Sequence, residues 1–389
     1  MNFNFDEVIS RTGTGALKYD GRKSVFGREN VLPMWVADMD FASPPAVAQA
    51  LQARARHPIY GYSLCPESLY QSLINWLQAR HRWEVPRESI LLCPGVVPSI
   101  NATVMALTKP GDGVIVQPPV YFPFFSAVTA SGRTLIENPL RWNGNRFVMD
   151  FEHLEQVANA GARLLLLCSP HNPVGRVWDA DELDRLLVIA HRHQLTILSD
   201  EIHADLVYPG HRHTPLAMRP GAEAHVITAV APSKTFNIPG LGLSALIVPN
   251  HIWRTSLTQT FDMLHVSTSN PFAMTAFETA YDTGAPWLDG LLDYLKGNRD
   301  YVIDFSAEKL PQITITPAEG TYLLWLDCRR LGMNDQSLHR FFLDKAGLAL
   351  SPGTLFGKSG SGYMRMNIGT PRAHVEAALQ GLLAAVNSL

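Results

Sequence analysis

Short apolar runs alternate with stretches of helical periodicity through the middle of the chain. Leucines three or four residues apart predict an amphipathic helix over 179–194. The run LLLLC within 162–170 has no polar interruption, which indicates a strand buried on both faces. Because helical stretches separate the strands, the pattern predicts an α/β fold with a mostly parallel, seven-stranded type of sheet flanked by helices. The predicted strands are 90–93, 113–117, 134–137, 162–170, 195–198, 225–231 and 241–249.

The pattern changes after residue 286. Leucines and tyrosines at helical spacing predict one long helix over 285–310, and strands then precede helices in the rest of the chain. This order favours a second, smaller α+β domain, which we expect the N-terminal arm to complete. The predicted division is 1–48 for the arm and part of the small domain, 49–286 for the large domain, and 287–389 for the small C-terminal domain.

Composition narrows the class of protein. The chain has 389 residues, of which 46% are hydrophobic and 17% charged, as in a globular protein with a sizeable core. A net charge of −3 gives no reason to expect nucleic acid or an anionic membrane as a partner. The N-terminus lacks a signal-peptide pattern, and no apolar stretch approaches the ~20 residues that span a bilayer. Four cysteines without a CxxC pair fit a reduced, cytoplasmic protein.

Ligands of open α/β sheets bind beyond the carboxyl ends of the strands, so the polar residues there are the candidates for chemistry. Lys234 follows the apolar run 225–231 within one turn. Enclosure of its amine would lower the pKa, and a partly neutral amine can attack a carbonyl and hold pyridoxal phosphate as a Schiff base. The alternative is an exposed loop lysine. The other seven of the eight lysines are expected in polar loops or at helix ends.

Asp200 ends another predicted strand and needs a cationic partner there, or its pKa rises. A protonated pyridine nitrogen would serve, although a helix-capping role is also open. His203 and Asn172 could donate to the phenolic oxygen of the cofactor, or could be an ordinary loop histidine and a turn residue. Tyr121 could stack on the ring, or pack in the core.

The phosphate of such a cofactor and the carboxylate of a substrate would each need a binding site, and the sequence offers candidates for both. Gly95, in PGVVPS, opens a predicted helix whose first amides could bind phosphate. Arg365 lies in an apolar strand and could clamp a substrate carboxylate, or belong to a buried ion pair. Asp38 and Asp40 have no third ligand nearby, which favours structural roles over a metal. The pairs His191/His193 and His211/His213 lack partners at ligand spacing, so no metal site is predicted.

Taken together, these residues resemble the fold type I pyridoxal-phosphate enzymes of the aspartate aminotransferase superfamily. Within that group the chain is similar to the MalY/PatB-type cystathionine β-lyases, through LPMWVADMDF, YGYS, PGVVPS, SPHNPVGRVW, SDEIHADLVY, SKTFNIPGL, APWLD, GTYLLWLD and MRMNIG. The resemblance implies homodimers with shared active sites, and pyridoxal 5'-phosphate as cofactor.

The resemblance also implies a role for individual residues. Lys234 would hold the cofactor, Asp200 its ring nitrogen, and Arg365 the substrate carboxylate. Asn172 and His203 would face the phenolic oxygen while Tyr121 covers the ring. The phosphate would be bound by the backbone of Gly95, Val96 and Val97, the hydroxyl of Ser233, and Tyr62 of a neighbouring subunit, with Tyr60 a second candidate in that segment.

Two positions depart from the superfamily pattern. Ala231 stands three residues before the lysine, where a phosphate-binding hydroxyl is common. Gly242 stands eight residues after it, where aminotransferases place a phosphate-binding arginine. Each loss would forgo a hydrogen bond of about 1.5–3 kcal/mol to a charged group. The missing arginine argues mildly against an ordinary aminotransferase.

The resemblance therefore implies a carbon–sulfur β-lyase that acts on cystathionine or another S-substituted L-cysteine and releases a thiol, pyruvate and ammonia. An aminotransferase with the same cofactor and the same first proton transfer is the first alternative. A regulatory protein that keeps the fold is the second, and the presence of both Lys234 and Asp200 argues against it.

Overall fold

A computed structural model describes residues 3–389, and two sheets organise it. The larger sheet has seven strands and the smaller has four. The strands of the larger sheet are β1 (Ile90–Cys93), β2 (Gly113–Val116), β3 (Thr134–Glu137), β4 (Ala162–Cys168), β5 (Thr196–Asp200), β6 (Val226–Val230) and β7 (Ser244–Ile247). The strands of the smaller sheet are β8 (Thr314–Ile315), β9 (Leu323–Asp327), β10 (Ser351–Pro352) and β11 (Tyr363–Asn367).

The larger sheet has the strand order β1-β7-β6-β5-β4-β2-β3. β7 runs antiparallel to both of its neighbours, and every other adjacent pair is parallel. All seven strands coincide with predicted apolar runs, which confirms the α/β prediction. The carboxyl ends of β4, β5 and β6 therefore lie side by side, and the loops that follow them bring Asn172, Asp200 and Lys234 to one edge of the sheet.

The smaller sheet is antiparallel throughout, in the order β8-β9-β11-β10. The N-terminal segment joins this part of the molecule. Leu32–Pro33 pairs in parallel with Leu348–Ala349, and the amide of Asp40 donates to the carbonyl of Gly369 at 2.8 Å. A further two-stranded pair, Arg141–Trp142 with Phe147–Val148, lies outside both sheets.

Helices cover the sheets, and periodicity predicts half of the α-helices among residues 3–389. The pattern predicts no helix over several segments that are helical, the longest of which are Pro45–Ala55, His251–Met263 and Pro271–Thr283. Among residues 3–389, no helix is both long and apolar enough to cross a membrane. The remaining helices are Leu17–Asp20, Arg22–Phe26, Glu67–His81, Val96–Leu107, Pro123–Thr129, Phe151–Asn159, Ala180–His193, Pro232–Thr235, Ala285–Lys309, Asp335–Arg340 and Arg372–Asn387, with a π-helical turn at Phe341–Lys345.

One expectation about the arm is wrong. Lys18 does not lie in a polar loop: its side chain is fully buried, and its Nζ lies 2.7 Å from Asp40 Oδ2. Arg11 binds both acids of the same segment, at 2.6 Å to Asp38 and 2.8 Å to Asp40. Burial would raise the pKa of Asp40, but Lys18 and Arg11 outweigh it and hold that pKa below its usual value. Asp38 and Asp40 therefore have the structural role that the sequence favoured.

A buried arginine fastens the loop after β4. Arg176 is fully buried, and its Nε donates to Glu319 Oε2 at 2.9 Å while Nη2 donates to Glu182 Oε2 at 2.6 Å. Glu319 lies just before β9, so this ion pair joins the loop that carries Asn172 to the smaller sheet. An arginine between two carboxylates is a well-satisfied buried charge.

Candidate active site

The carboxyl ends of the parallel strands open into a cavity of about 280 Å³. Nine of the twelve residues predicted for the site line it. They are Gly95, Val96, Val97, Tyr121, Asn172, Asp200, His203, Ser233 and Lys234. The other lining residues are Ala37, Pro94, Pro98, Cys168, Ile202, Pro239, Gly242 and Leu243.

Lys234 stands on a single helical turn, Pro232–Thr235, directly after β6. Its side chain is partly exposed and lines the cavity, and its Nζ donates to the carbonyl of Ala37. Enclosure by the protein lowers the pKa of this amine to about 8. Roughly one molecule in ten then carries a neutral amine at pH 7. Lys234 is therefore a usable nucleophile and base.

Asp200 is the last residue of β5 and is buried. Its Oδ1 accepts a hydrogen bond from the amide of Ile202 at 3.2 Å. Among residues 3–389, no basic side chain comes within 4.0 Å of this carboxylate. Burial therefore raises the pKa of Asp200 to about 7. A cation bound in the cavity would lower the free-energy cost of keeping this buried carboxylate ionised.

Arg365 lies in β11 and is buried, with neutral partners around its guanidinium. Nη1 donates to Asn172 Oδ1 at 3.1 Å, and Nη2 donates to the carbonyl of Trp35 at 2.7 Å and to Ser351 Oγ at 3.3 Å. Nε has no hydrogen-bond partner, and burial lowers the pKa of Arg365 to about 10. No carboxylate lies within ion-pair distance in the described part of the chain, so the alternative of a buried ion pair is wrong. A charged donor with a free N–H fits a carboxylate ligand.

Asn172 and His203 approach the cavity as donors. The oxygen of Asn172 is held by Arg365, which leaves its amide nitrogen to donate elsewhere. His203 is buried, and its Nδ1 has no hydrogen-bond partner. Burial, with Lys234 and Arg365 nearby, lowers the pKa of His203 to about 3. Its ring is therefore neutral near pH 7 and has one N–H to donate.

One end of the cavity has the features of an anion site. The helix Val96–Leu107 starts at Gly95, whose φ of 149° avoids the helical region, and no side chain caps the helix. The first amides of a helix lack internal partners and attract anions. Ser233 lies at the same cavity. These groups together can receive a phosphate.

The structure explains one departure from the superfamily pattern. A Cβ atom at Gly242 would lie 2.6 Å from the carbonyl oxygen of Pro94, so no side chain fits there unless the backbone shifts. Gly242 also lines the cavity, beside Pro94 and the start of the helix Val96–Leu107. Ala231 is buried at the start of the lysine turn, and nothing in its surroundings explains the absence of a hydroxyl there.

Three predicted residues do not line the cavity. Arg365 contacts it through Asn172, as described above. Tyr62 is fully exposed, and Tyr60 is 57% exposed, with its hydroxyl donating to the carbonyl of Ala55 at 2.8 Å. Ile59 and Leu64 of the same segment are also exposed apolar residues. Within one chain, none of residues 59–64 lines the cavity.

The sequence missed the contribution of the segment 35–38. The carbonyl of Ala37 accepts hydrogen bonds from both Lys234 and the hydroxyl of Tyr322, the latter at 2.9 Å, and the carbonyl of Trp35 accepts from Arg365. Backbone carbonyls leave no mark in a sequence. The only available signal was the compact motif WVADMD, which stood without a chemical role.

One histidine of each pair is bound to an acid. His213 Nε2 lies 2.8 Å from Glu201 Oε2, and His193 Nε2 lies 2.6 Å from Glu155 Oε1. Among residues 3–389, no cluster of three or more histidine, cysteine or acidic side chains could hold a metal ion.

The cavity fits pyridoxal 5'-phosphate on its own chemistry. It offers an amine with a lowered pKa, a buried carboxylate without a cation, an uncapped helix start, and two buried nitrogens without partners, His203 Nδ1 and Arg365 Nε. The first three match the aldehyde, the ring nitrogen and the phosphate of the cofactor. His203 Nδ1 matches the phenolic oxygen of the cofactor, and Arg365 Nε, held at the cavity through Asn172, matches the carboxylate of an amino acid.

Known proteins support this interpretation. Residues 29–382 match the sequence model of the aminotransferase class I and II family. The chain is 40% identical to the cystathionine beta-lyase PatB of Bacillus subtilis over 386 residues, which cover 99% of this chain and 100% of that protein. It is 32% identical to the protein MalY of Escherichia coli over 390 residues, with both chains fully covered.

A solved structure agrees with them. The crystal structure of cystalysin from Treponema denticola, which contains a pyridoxal 5'-phosphate cofactor, superposes with a TM-score of 0.97 at 36% identity, covering 100% of both chains. The resemblance drawn from the motifs is thereby confirmed. The chain belongs to the class I and II aminotransferase family and, within it, stands among the relatives of PatB and MalY.

Proposed function

We propose that this chain is a pyridoxal-phosphate-dependent carbon–sulfur β-lyase that cleaves cystathionine or another S-substituted L-cysteine. The observation that carries the proposal is the meeting of Lys234, with its lowered pKa, and the buried carboxylate Asp200 in one cavity. Two relatives point the same way, since PatB is named a cystathionine beta-lyase and the cystalysin structure contains the cofactor.

Different residues of the cavity would bind different groups of the cofactor. Lys234 would hold it covalently, and Asp200 would keep its ring nitrogen protonated. Asn172 and His203 would donate to its phenolic oxygen, and Tyr121, which lines the cavity, would cover the ring. The phosphate would be bound by the backbone of Gly95, Val96 and Val97 and the hydroxyl of Ser233.

The cofactor, when bound, supplies an aldehyde for linkage to the substrate amine and a ring that accepts electrons from the substrate Cα. The protein supplies the rest. Arg365 would bind the α-carboxylate through its free Nε and would thereby help to orient the substrate for proton transfer to Lys234. The freed amine of Lys234 would take the Cα proton, because a base with a pKa near the working pH transfers protons well. The thiolate would then leave from Cβ with the electrons of the broken C–S bond, and water would hydrolyse the released aminoacrylate to pyruvate and ammonia.

A product assay tests this function. We expect pyruvate, ammonia and a thiol from cystathionine, cystine or an alkyl-cysteine, without any keto-acid acceptor. Absence of pyruvate from every thioether would refute the lyase assignment. Amino transfer to an added keto acid without loss of thiol would select the aminotransferase alternative, against which Gly242 and its crowded Cβ position argue.

A homodimer with shared sites is part of the proposal. The exposed apolar segment Ile59–Leu64 and the fully exposed Tyr62 need a covering surface, and a second copy of this chain would bring Tyr62 to the phosphate of its neighbour. Tyr60 would lie close to the substrate in the same way. Mixing inactive Lys234→Ala with weakened Tyr62→Ala protein should restore partial activity through hybrid dimers. No recovery after subunit exchange would exclude shared sites.

The domain division also stays a proposal. We place the boundaries at 48 and 286, with residues 1–48 and 287–389 forming the small domain around the large one. The parallel pairing of Leu32–Pro33 with Leu348–Ala349 supports this assignment of the arm. Residues 48 and 286 lie in the first turns of the helices Pro45–Ala55 and Ala285–Lys309, so limited proteolysis should cut in the connections just before these helices before it cuts within the sheets.

A cytoplasmic location is proposed on the state of the cysteines. All four, Cys65, Cys93, Cys168 and Cys328, are free thiols, and three are buried. Reduced thiols are the norm in the cytoplasm. Fractionation of cells that produce the protein would test it.

A further inference from the structure

Two buried carboxylates that do not line the cavity hold the loop after β5. Glu201 Oε1 accepts from Ser199 Oγ at 2.9 Å and from the amide of Leu216 at 3.0 Å, and its Oε2 accepts from His213 at 2.8 Å. Asp205 is the second carboxylate. Asp200 and His203 of the same segment line the cavity. The segment therefore carries both residues of the candidate site and residues that fix it to the rest of the protein.

Asp205 accepts hydrogen bonds from three side chains on two elements. His81 Nε2 lies 2.8 Å from Oδ1, and Trp76 Nε1 donates to the carboxylate at 3.2 Å; both stand on the helix Glu67–His81. Thr235 Oγ1 donates to Oδ2 at 2.9 Å. An ionised carboxylate can only accept, so all three partners must supply protons. All four side chains are buried.

Thr235 is the residue next to Lys234 and the last of the same helical turn. That turn is short, and few internal hydrogen bonds hold it: the amide of Phe236 donates to the carbonyl of Pro232 at 2.9 Å and that of Ile238 to Ser233 at 3.0 Å. The direction in which Lys234 leaves the turn therefore depends on contacts with other elements. The Thr235–Asp205 hydrogen bond is such a contact and lies one residue from the amine.

We propose that Asp205, held by His81 and Trp76, is a positioning residue that sets the place of the Lys234 amine through the hydroxyl of Thr235. The inference rests on the proposed function, in which Lys234 is both cofactor anchor and base. Asp205 follows Asp200 by five residues, so one carboxylate ties the loop of the acid to the turn of the amine. It thereby fixes the separation of the two groups that must act on one cofactor.

The experiment compares buried threonines. Thr235→Val removes the hydroxyl at nearly constant shape, and Thr235→Ser keeps it. Thr228→Val is the matched control, because Thr228 is fully buried on β6 and its hydroxyl has no hydrogen-bond partner among residues 3–389. Cofactor-free protein is mixed with pyridoxal phosphate, and the rate constant of Schiff-base formation is followed by absorbance. The loaded enzymes are then assayed for kcat and KM, and thermal unfolding checks that each variant is folded.

We expect Thr235→Val to lower both the Schiff-base rate constant and kcat by about 10- to 100-fold with KM little changed, because small misplacements of a reacting group have effects of that order. Thr235→Ser should recover most of the rate, and Thr228→Val should match the wild type. A folded Thr235→Val protein with wild-type rates would overturn the proposal, and so would a Thr235→Ser protein as slow as the valine variant.

Asp205→Asn provides a second test if the valine variant does not fold. Asparagine offers one acceptor oxygen to three donors, so Schiff-base formation should slow; an unchanged rate would overturn the proposal. Failure of the proposed function looks different. A wild type that forms the Schiff base but releases no pyruvate from any thioether would refute the lyase assignment while leaving this comparison of rates intact.

Discussion

Two lysines, Lys18 and Lys234, sit in enclosed surroundings of opposite character. Lys18 has no solvent exposure, and Asp40 lies 2.7 Å away, itself bound by Arg11. Lys234 has only the carbonyl of Ala37, and no carboxylate within ion-pair distance among residues 3–389. Burial lowers the pKa of both amines. Lys18 is held in an ion pair that supports the fold, whereas Lys234 has a neutral partner and is available for chemistry.

The strongest way to break this comparison is to remove Lys234. Lys234→Ala should lower the rate by roughly 10⁴-fold or more, since covalent attachment and general-base catalysis are lost together. Stability should change little, because no ion pair is broken. Borohydride reduction with pyridoxal phosphate, followed by peptide mass analysis, should label Lys234 in the wild type. A cofactor label on any other lysine would contradict the assignment.

Removing the other lysine should have the reverse effect. Lys18→Met leaves the buried charge of Asp40 with Arg11 alone, and breaking a buried ion pair costs about 3–5 kcal/mol of unfolding free energy. The kcat of the folded protein should stay near that of the wild type. Denaturant unfolding measures the change. Lys23→Met is the control, because Lys23 and its partner Glu29 are both well exposed and should contribute little. Lost turnover at unchanged stability would refute the structural role of Lys18.

Asp200, like Lys234, is an ionisable group without an ion-pair partner among residues 3–389, and its effect on stability should depend on pH. Its pKa is raised from 3.8 to about 7, so between these values the folded, cofactor-free protein keeps a proton that the unfolded chain releases. Stability is therefore lost as pH rises through this window. Asp200→Asn should stabilise the cofactor-free protein at pH 8 by an amount on the order of a few kcal/mol, since one pKa unit is about 1.4 kcal/mol.

This gain should shrink toward pH 5, where the wild-type carboxyl is itself protonated. Urea unfolding of both proteins at several pH values provides the test. Because the comparison is a difference between two proteins, the opposite titrations of His203 and Lys234 largely cancel. A constant gain across pH would mean that Asp200 is already ionised without cost in the cofactor-free state.

The smallest expected effect lies at the shared carbonyl of Ala37. Tyr322→Phe removes one of its two donors and should cost about 0.5–1.5 kcal/mol of stability, the usual net contribution of a hydrogen bond. Lys234 keeps its own bond to that carbonyl, so cofactor attachment should continue. Thermal unfolding and the Schiff-base rate measure the two effects. Loss of cofactor attachment would show that Tyr322 acts on Lys234 more directly.

Apolar runs predicted the larger sheet because parallel strands are buried on both faces. The run within 162–170 has no polar interruption, so a buried strand was its clearest interpretation. The site residues at the ends of those strands were predicted from the same pattern. Asp200 ends β5, Lys234 follows β6, and both line one cavity. The helix Pro45–Ala55 was not predicted, since Val47 is its only fully buried residue and its pattern is weak. The π-helical end after Asp335–Arg340 likewise has no marker in the sequence.

What the sequence could not provide is the partner of each charged group. Lys18 was misjudged because Asp40 lies 22 positions away, and a contact at that separation depends on how the arm folds back. The roles of the carbonyls of Trp35 and Ala37 could not be predicted, because every residue has a backbone carbonyl and the sequence does not show which ones accept hydrogen bonds from the site. Asp205 and Thr235 looked like ordinary loop residues until the fold placed them together.

The lack of room for a Cβ atom at Gly242, which would lie 2.6 Å from the carbonyl oxygen of Pro94, has a consequence for protein engineering. Introducing the arginine that aminotransferases of the superfamily have at this position is not a one-step change. Gly242→Arg would first displace the backbone next to the proposed phosphate site, and we expect it to weaken cofactor retention before any new hydrogen bond could form. A path between the two activities has to begin by relocating the loop at Pro94, so the order of substitutions matters as much as their identity.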